Sequence, residues 1–341
     1  MKKGKSFFKQ IRAQVKQKRN APQYHELKLL LEAFDQQNER AADILYFGDS
    51  VIQRISKYDE DIQTLGEMVA KRFEPIYKTC VIAHSAYTPK IFLSLSRVLK
   101  ITHKRPKLII LPVNLRSLSP QWDHYPSWQF KREILAIRKF YKNQLRKVPR
   151  LIPSDQLPLS HRKISKFMNR KVNYPFTKFN QINQFIELIK SKPNEPLEIR
   201  QRWRIIFIYH YLNILRHNHH QLRSLKKLIE LLFKMNVFTV IYLTPINYQA
   251  GVRLIGEEFT RIVSKNIAVI KQVITKDHEN QSSNIVLKKP GLLFVDWSMT
   301  LSDSFFFHEN EATEHLNESG RIKLANTILD LVRSIPSFDC H

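Results

Sequence analysis

Five short apolar runs, separated by stretches of helical periodicity, most constrain what this 341-residue chain can fold into. The runs are Ile44–Phe47, Thr79–Ala83, Leu108–Val113, Val237–Leu243 and Leu292–Asp296. They are rich in Ile, Leu and Val and do not alternate with polar residues, which marks strands buried on both faces. Helical spacing predicts helices over Asp59–Arg72, Pro89–Thr102, Leu222–Lys234, Arg253–Thr275 and Gly320–Ser334, after an earlier one over 24–40. Strands that alternate with helices imply a parallel sheet between two helical layers. The expected class is α/β, a three-layer α/β/α sandwich on a five-stranded sheet.

The interval between the third and fourth runs is too long for a simple crossover. It holds a helical stretch at Trp128–Gln144, then Pro149, Pro153 and Pro158, then helical pieces at Ile182–Lys190 and Pro196–Leu215. We read residues 128–220 as a helical insertion, packed over the sheet edge or the site rim. It interrupts one domain at 21–341, which follows a basic arm at 1–20.

Charge follows the same division. Residues 1–20 carry eight Lys/Arg and no acid, and residues 129–235 carry 24 Lys/Arg against six Asp/Glu. The rest of the chain balances at 24 of each, so the net +26 resides in the arm and the insertion. Such a field suits an anionic partner. A membrane surface ranks first, because Phe7, Phe8, Ile11 and Val15 interleave with the arm's lysines. An anionic envelope polymer also fits. Nucleic acid is disfavoured, since no binding module is visible. A solvated helical face would account for the same charges.

Cys80 and Cys340 form no Cys-x-x-Cys pattern, and His219-His220 has no carboxylate or cysteine nearby in sequence. No metal site, disulfide framework or organic cofactor is expected. No run reaches the roughly 18–20 apolar residues that span a bilayer. The N-terminus lacks an apolar signal core. The expectation is a cytoplasmic protein, peripheral to a membrane if the arm inserts.

In an open parallel sheet, ligands gather beyond the carboxyl ends of the strands. There the sequence offers Ser50, His84, Asn114 and Asn247, and well after the fifth run His315. A serine, an amide and a histidine at one sheet edge suit acyl transfer. The histidine takes the serine proton, and backbone N–H groups with the amide hold the oxyanion. Each residue also has a plainer role. Ser50 could cap a helix, Asn114 could serve a turn, and His315 could start a helix. Asp296 could be a strand-end turn residue, and Trp122 and Trp128 could line a cleft or a hydrophobic hinge.

Together, Gly48-Asp49-Ser50, Asn114 and the phrase from His315 to Gly320 resemble the SGNH/GDSL hydrolase superfamily over about 40–125 and 220–335. The long insertion and Thr244-Pro245-Ile246-Asn247 are similar to its DltD-like branch, which is associated with lipoteichoic-acid D-alanylation. The resemblance implies a flavodoxin-like strand order 2-1-3-4-5 and a serine esterase, lipase or O-acyltransferase. It implies Ser50 as nucleophile, His315 as base, and an oxyanion hole of Ser50 N–H, Ala86 N–H and Asn114. Two positions depart from the family pattern. Ala86 stands where the family has glycine, and Ala312 where it has the aspartate that orients the histidine. Glu311 is the candidate substitute acid, with Glu314 and Asp303 as further candidates. If the acid is lost, a non-catalytic protein that binds an anionic surface is the alternative.

Overall fold

The computed structural model describes residues 25–34, 41–145, 161–275 and 291–335. The basic arm, the prolines at 149, 153 and 158, and Cys340 lie outside them.

Helix α1 (His25–Ala33) precedes β1 (Ile44–Gly48). A single turn, α2 (Ser50–Gln53), and then α3 (Leu65–Phe73) lead to β2 (Thr79–Ala83). Helix α4 (Pro89–Val98) leads to β3 (Leu108–Val113). After β3 come a 3-10 turn (Leu115–Leu118), α5 (Pro120–His124) and a second 3-10 turn (Pro126–Gln129). Four helices follow: α6 (Lys131–Leu145), α7 (His161–Met168), α8 (Ile182–Lys190) and α9 (Pro196–Tyr211). Helix α10 (His220–Lys234) then enters β4 (Phe238–Leu243). The chain closes with α11 (Tyr248–Ile255), α12 (Glu257–Thr275), β5 (Leu292–Asp296) and α13 (Glu318–Arg333).

All four strand pairings are parallel, in the order β2-β1-β3-β4-β5. The fold is the expected α/β sandwich. Successive side chains along a strand point to opposite faces, and the core divides accordingly. Leu45, Phe47, Ile109 and Leu111 join one buried cluster with α1, α4, α10, α12 and the helices that follow β3. Ile44, Tyr46, Ile110 and Tyr242 join the other with α3 and α13. Burial of each such side chain contributes about 1.5–3 kcal/mol.

Register decides where the strands end. Gly48 is level with Ala83, and Val113 with Leu243, which is level with Asp296. The loops after the strands therefore open at one edge of the sheet.

Several predicted helices run past the observed ends, and two differ more. Asp59–Thr64 is not helical, because Thr64 closes a capping box with Glu67 and starts α3 there. The predicted helix at 253–275 is two helices, α11 and α12. They part at Gly256, whose φ of 92° lies in the region glycine alone enters freely. Among the described residues no helix is long and apolar enough to cross a membrane.

Candidate active site

Ser50 owes its position to Gly48. A Cβ at Gly48 would lie 2.4 Å from Ile52 Cγ1 and 3.0 Å from Ala83 Cβ, so only glycine lets α2 fold back this closely on the strand end. Asp49 caps that turn, its Oδ1 accepting the Val51 N–H at 2.8 Å. Ser50 is the first residue inside the helix, and its hydroxyl has no capping duty. Ser50 Oγ lies 3.1 Å from His315 Nε2, with both residues buried.

Asn114 ends β3. Its Oδ1 accepts the Arg116 N–H at 2.9 Å, and its Nδ2 donates to Asp49 Oδ2 at 3.1 Å. These bonds fix which end of the amide is which and leave one N–H of Nδ2 uncommitted. Ala86 has a φ of 68°. An L-residue there costs about 1–2 kcal/mol. The backbone keeps the conformation a glycine would favour, and the Ala86 N–H meets no acceptor among the described residues. The backbone thus accepts alanine in this conformation and leaves its N–H available.

The loop that carries His315 is tied down on several sides. Asn247, fully buried, donates its amide to the carbonyls of His308, Glu309 and Glu311 at 3.0–3.2 Å. Thr313 Oγ1 accepts the His315 N–H at 3.0 Å. Asn317 caps α13 through the Gly320 N–H at 3.0 Å and donates to the Ser304 carbonyl at 2.7 Å. The asparagine at the end of the fourth strand is therefore a loop staple.

The acid is the point of departure. Glu311 touches this network through its backbone carbonyl, and its carboxylate makes no hydrogen bond or ion pair with His315. Glu314, fully buried, instead accepts from Tyr211 Oη at 2.6 Å and pairs with Arg116 Nε at 2.9 Å. Asp303 pairs with Arg253, and Asp296 binds the Ser298 N–H and hydroxyl as a strand-end turn residue. Among the described residues no carboxylate hydrogen-bonds to His315 Nδ1. Sequence reasoning missed Arg116 and Tyr211. Their signal was weak: an arginine two residues after Asn114 and a tyrosine at the end of α9.

Burial, then the charges of Arg116 and Arg54, push the His315 pKa down to about 2. Burial raises the Asp49 carboxyl, opposed by the Val51 N–H, Asn114 and Arg116. Burial likewise raises Glu314, opposed by Arg116 and Tyr211. Burial thus keeps the His315 imidazole neutral at physiological pH, and among the described residues no carboxylate stands against its charged form.

This has a consequence for stability. His315 and His210 are both buried with pKa values pushed below the ordinary 6.5, His210 by burial and then Arg116. Below pH 6.5 the unfolded chain binds protons that the fold refuses, so stability is present above that pH and falls as pH drops. The slope is about 1.4 kcal/mol per pH unit for each histidine. The raised carboxyls of Asp49 and Glu314 act in the opposite sense and offset part of this. Urea midpoints are expected to fall between pH 7 and pH 5, and His210→Gln should flatten the decline. A rising midpoint would contradict the assignment.

Other residues read from the sequence find plainer places. His84 binds the Ser85 carbonyl and packs on Tyr87 and Phe130. Trp122 and Trp128 stack at 4.1 Å. His219 and His220 have neighbours in space that the sequence does not place near them. The chain returns from its long excursion beside α5, and Asp123 and His124 supply in space the partners absent nearby in sequence.

No family model and no curated protein matches the chain. Solved structures do. A mutant of Axe2, an acetyl-xylooligosaccharide esterase from Geobacillus, aligns at 12% identity over 85% of this chain and 94% of its own, with a TM-score of 0.40. A catalytic mutant of Axe2, there named an acetylxylan esterase from Geobacillus stearothermophilus, aligns at 11% identity over the same shares, with a TM-score of 0.37. At this level of likeness they assign no activity to this chain.

Proposed function

We propose that this chain is a serine ester hydrolase or O-acyltransferase of the SGNH type. The observation that carries the reading is the 3.1 Å contact between Ser50 Oγ and His315 Nε2 at the carboxyl edge of the sheet. Ser50 Oγ attacks the ester carbonyl as its proton passes to His315 Nε2. The N–H groups of Ser50 and Ala86 and the free N–H of Asn114 hold the oxyanion. His315 returns the proton to the departing alkoxide, leaving an acyl-enzyme on Ser50. Water or an acceptor hydroxyl then attacks, gives its proton to His315, and takes the acyl group as His315 passes that proton to the departing Ser50 Oγ. No step calls for a metal or organic cofactor.

The local field also bears on the substrate class. Arg54 is exposed, makes no ion pair among the described residues, and acts on His315. An anionic ester would neutralise this charge and make the imidazolium easier to form. We therefore expect p-nitrophenyl hemisuccinate to be preferred over p-nitrophenyl acetate. Arg54→Gln should lower that preference about tenfold, the low end of a hydrogen bond to a charged group. A preference for the neutral ester would remove the anionic class and leave the hydrolase reading intact.

The lack of a carboxylate at His315 Nδ1 among the described residues favours a second reading, a non-catalytic SGNH-like protein that docks its basic insertion at about 128–220 on an anionic membrane or polymer. A fluorophosphonate probe separates the two. Stoichiometric labelling mapped to Ser50 supports the enzyme. Folded protein that takes up no probe, yet floats with anionic vesicles at low salt, supports the binder.

A further inference from the structure

The base of the long excursion between β3 and β4 gathers three histidines on one buried carboxylate. Asp123, only 2% exposed, sits in α5. His124 Nε2 lies 2.8 Å from Asp123 Oδ2, and His219 Nε2 lies 3.2 Å from the same oxygen. His220 Nε2 lies 2.5 Å from Oδ1. The ligand atoms of Asp123, His124 and His220 all fall within 4.8 Å of one another. Imidazole nitrogens with a single carboxylate are the donor set that zinc takes in four-coordinate sites.

A second observation points the same way. Asp123 Oδ1 is buried without a hydrogen-bond partner among the described residues, although His220 Nε2 stands beside it. The two atoms are close but not aligned as donor and acceptor. His220 Nε2 also lies 3.2 Å from the Asp123 carbonyl oxygen, a bond it would exchange for a metal, and Oδ1 keeps its lone pairs for another partner. Buried polar atoms without a partner also fall on Gln121, Trp122, His219 and Gln221, the neighbours of the cluster on both segments.

We propose that Asp123, His124 and His220 form a structural binding site for a divalent transition metal of the zinc class, with His219 beside it at 3.2 Å from Asp123 Oδ2. Ligand bonds of about 2.0–2.2 Å at tetrahedral angles place donors about 3.3 Å apart. The observed spacings of 2.8 and 2.5 Å from Asp123 to His124 and His220 open to this by less than an ångström, and the ligand atoms of all three lie within 4.8 Å of one another. His124 and His220 are partly exposed and have room to rotate.

The position gives the ion a role. Asp123 and His124 end α5, where the chain leaves the sheet edge, and His219 and His220 start α10, where it returns to the core. An ion bound to both segments clips the two ends of everything between them. Helix α5 also follows the 3-10 turn that carries Arg116, and Arg116 lies over the Trp122 ring at 5.3 Å while pairing with Glu314 beside His315. The clip thus braces the wall behind the Ser50–His315 pair. The assignment stands apart from the hydrolase reading, since no catalytic step passes through the ion.

The test uses the full chain, purified without a polyhistidine tag and stripped with a chelator. Zinc chloride is titrated against a chromophoric competitor, and the unfolding temperature is read with and without zinc. One equivalent bound at submicromolar free zinc, with a raised unfolding temperature, is the expected result. His124→Ala and His220→Ala should each weaken binding at least tenfold while the metal-free unfolding temperature stays near that of the metal-free parent. If either variant fails to fold, the zinc titration of the parent, with cobalt giving tetrahedral visible bands, decides alone. No zinc uptake by the parent overturns the proposal and leaves a hydrogen-bonded hub. So does uptake with undiminished affinity in folded His124→Ala/His220→Ala protein.

Discussion

Ser50→Ala is expected to abolish fluorophosphonate labelling and lower ester turnover at least about 10³-fold, because the covalent route is lost entirely. The same change should leave stability within about 0.5–1 kcal/mol of the parent. The second expectation gives the first its force. From sequence alone Ser50 could have been a helix cap, and loss of a cap costs about 0.5–2 kcal/mol. In the structure Asp49 performs that duty, and among the described residues the Ser50 hydroxyl has only His315 as a partner. A structural serine and a catalytic serine therefore predict opposite results from one variant. Urea unfolding together with labelling of the folded protein reads both. Activity retained in Ser50→Ala, or stability lost with no activity to lose, would sink the nucleophile. His315→Ala should also silence labelling. A residual rate of hydrolysis would measure how much the oxyanion donors achieve without a base.

The parts of the fold legible in the sequence are those that local pattern controls. Apolar runs without alternation located all five strands to within a residue at either end. The turn at Gly48-Asp49-Ser50 and the phrase from His315 to Gly320 were visible because a strand-to-helix turn and a capped helix start each need specific residues at fixed spacing. What escaped depends on distance. Asp123 and His219 meet only because the chain returns beside its point of departure. Arg321 sits in a helix whose Lys323, Asp330 and Arg333 face solvent, and nothing local distinguishes it from them, yet it is fully buried. Asp59–Thr64 carries helical spacing but spends its polar groups on α13 instead. Glu311 and Glu314 flank the right place in sequence, but the backbone presents one through its carbonyl and turns the other toward Tyr211 and Arg116. Residue type near a histidine could not decide which way a carboxylate points.

Asp59→Ala is expected to destabilise the protein by about 3–5 kcal/mol, the cost of leaving a buried charge without its partner. The Arg321 guanidinium, 0% exposed, pairs with the Asp59 carboxylate. It also donates to the carbonyls of Gln63 at 3.1 Å and Asp61 at 2.6 Å. In return Glu318 accepts the N–H groups of Glu60 and Asp61 at 3.0 and 3.1 Å, and Asp59 Oδ1 accepts the Glu318 N–H at 3.2 Å. The 59–63 segment is thereby clamped to the first turns of α13, just after His315. Arg321→Met should cost a similar amount, since it strands Asp59 and two carbonyls. The double variant should cost less than the sum, because neither charge is then left alone. Urea denaturation of the four proteins gives the coupling. The clamp also predicts a functional signature that stability alone would not produce. Folded Asp59→Ala should label more slowly at Ser50 than the parent, because the start of α13 carries the loop that holds His315 beside it. An additive double variant with normal labelling would show that water reaches Arg321, and that the Asn317 cap holds the helix start without this clamp.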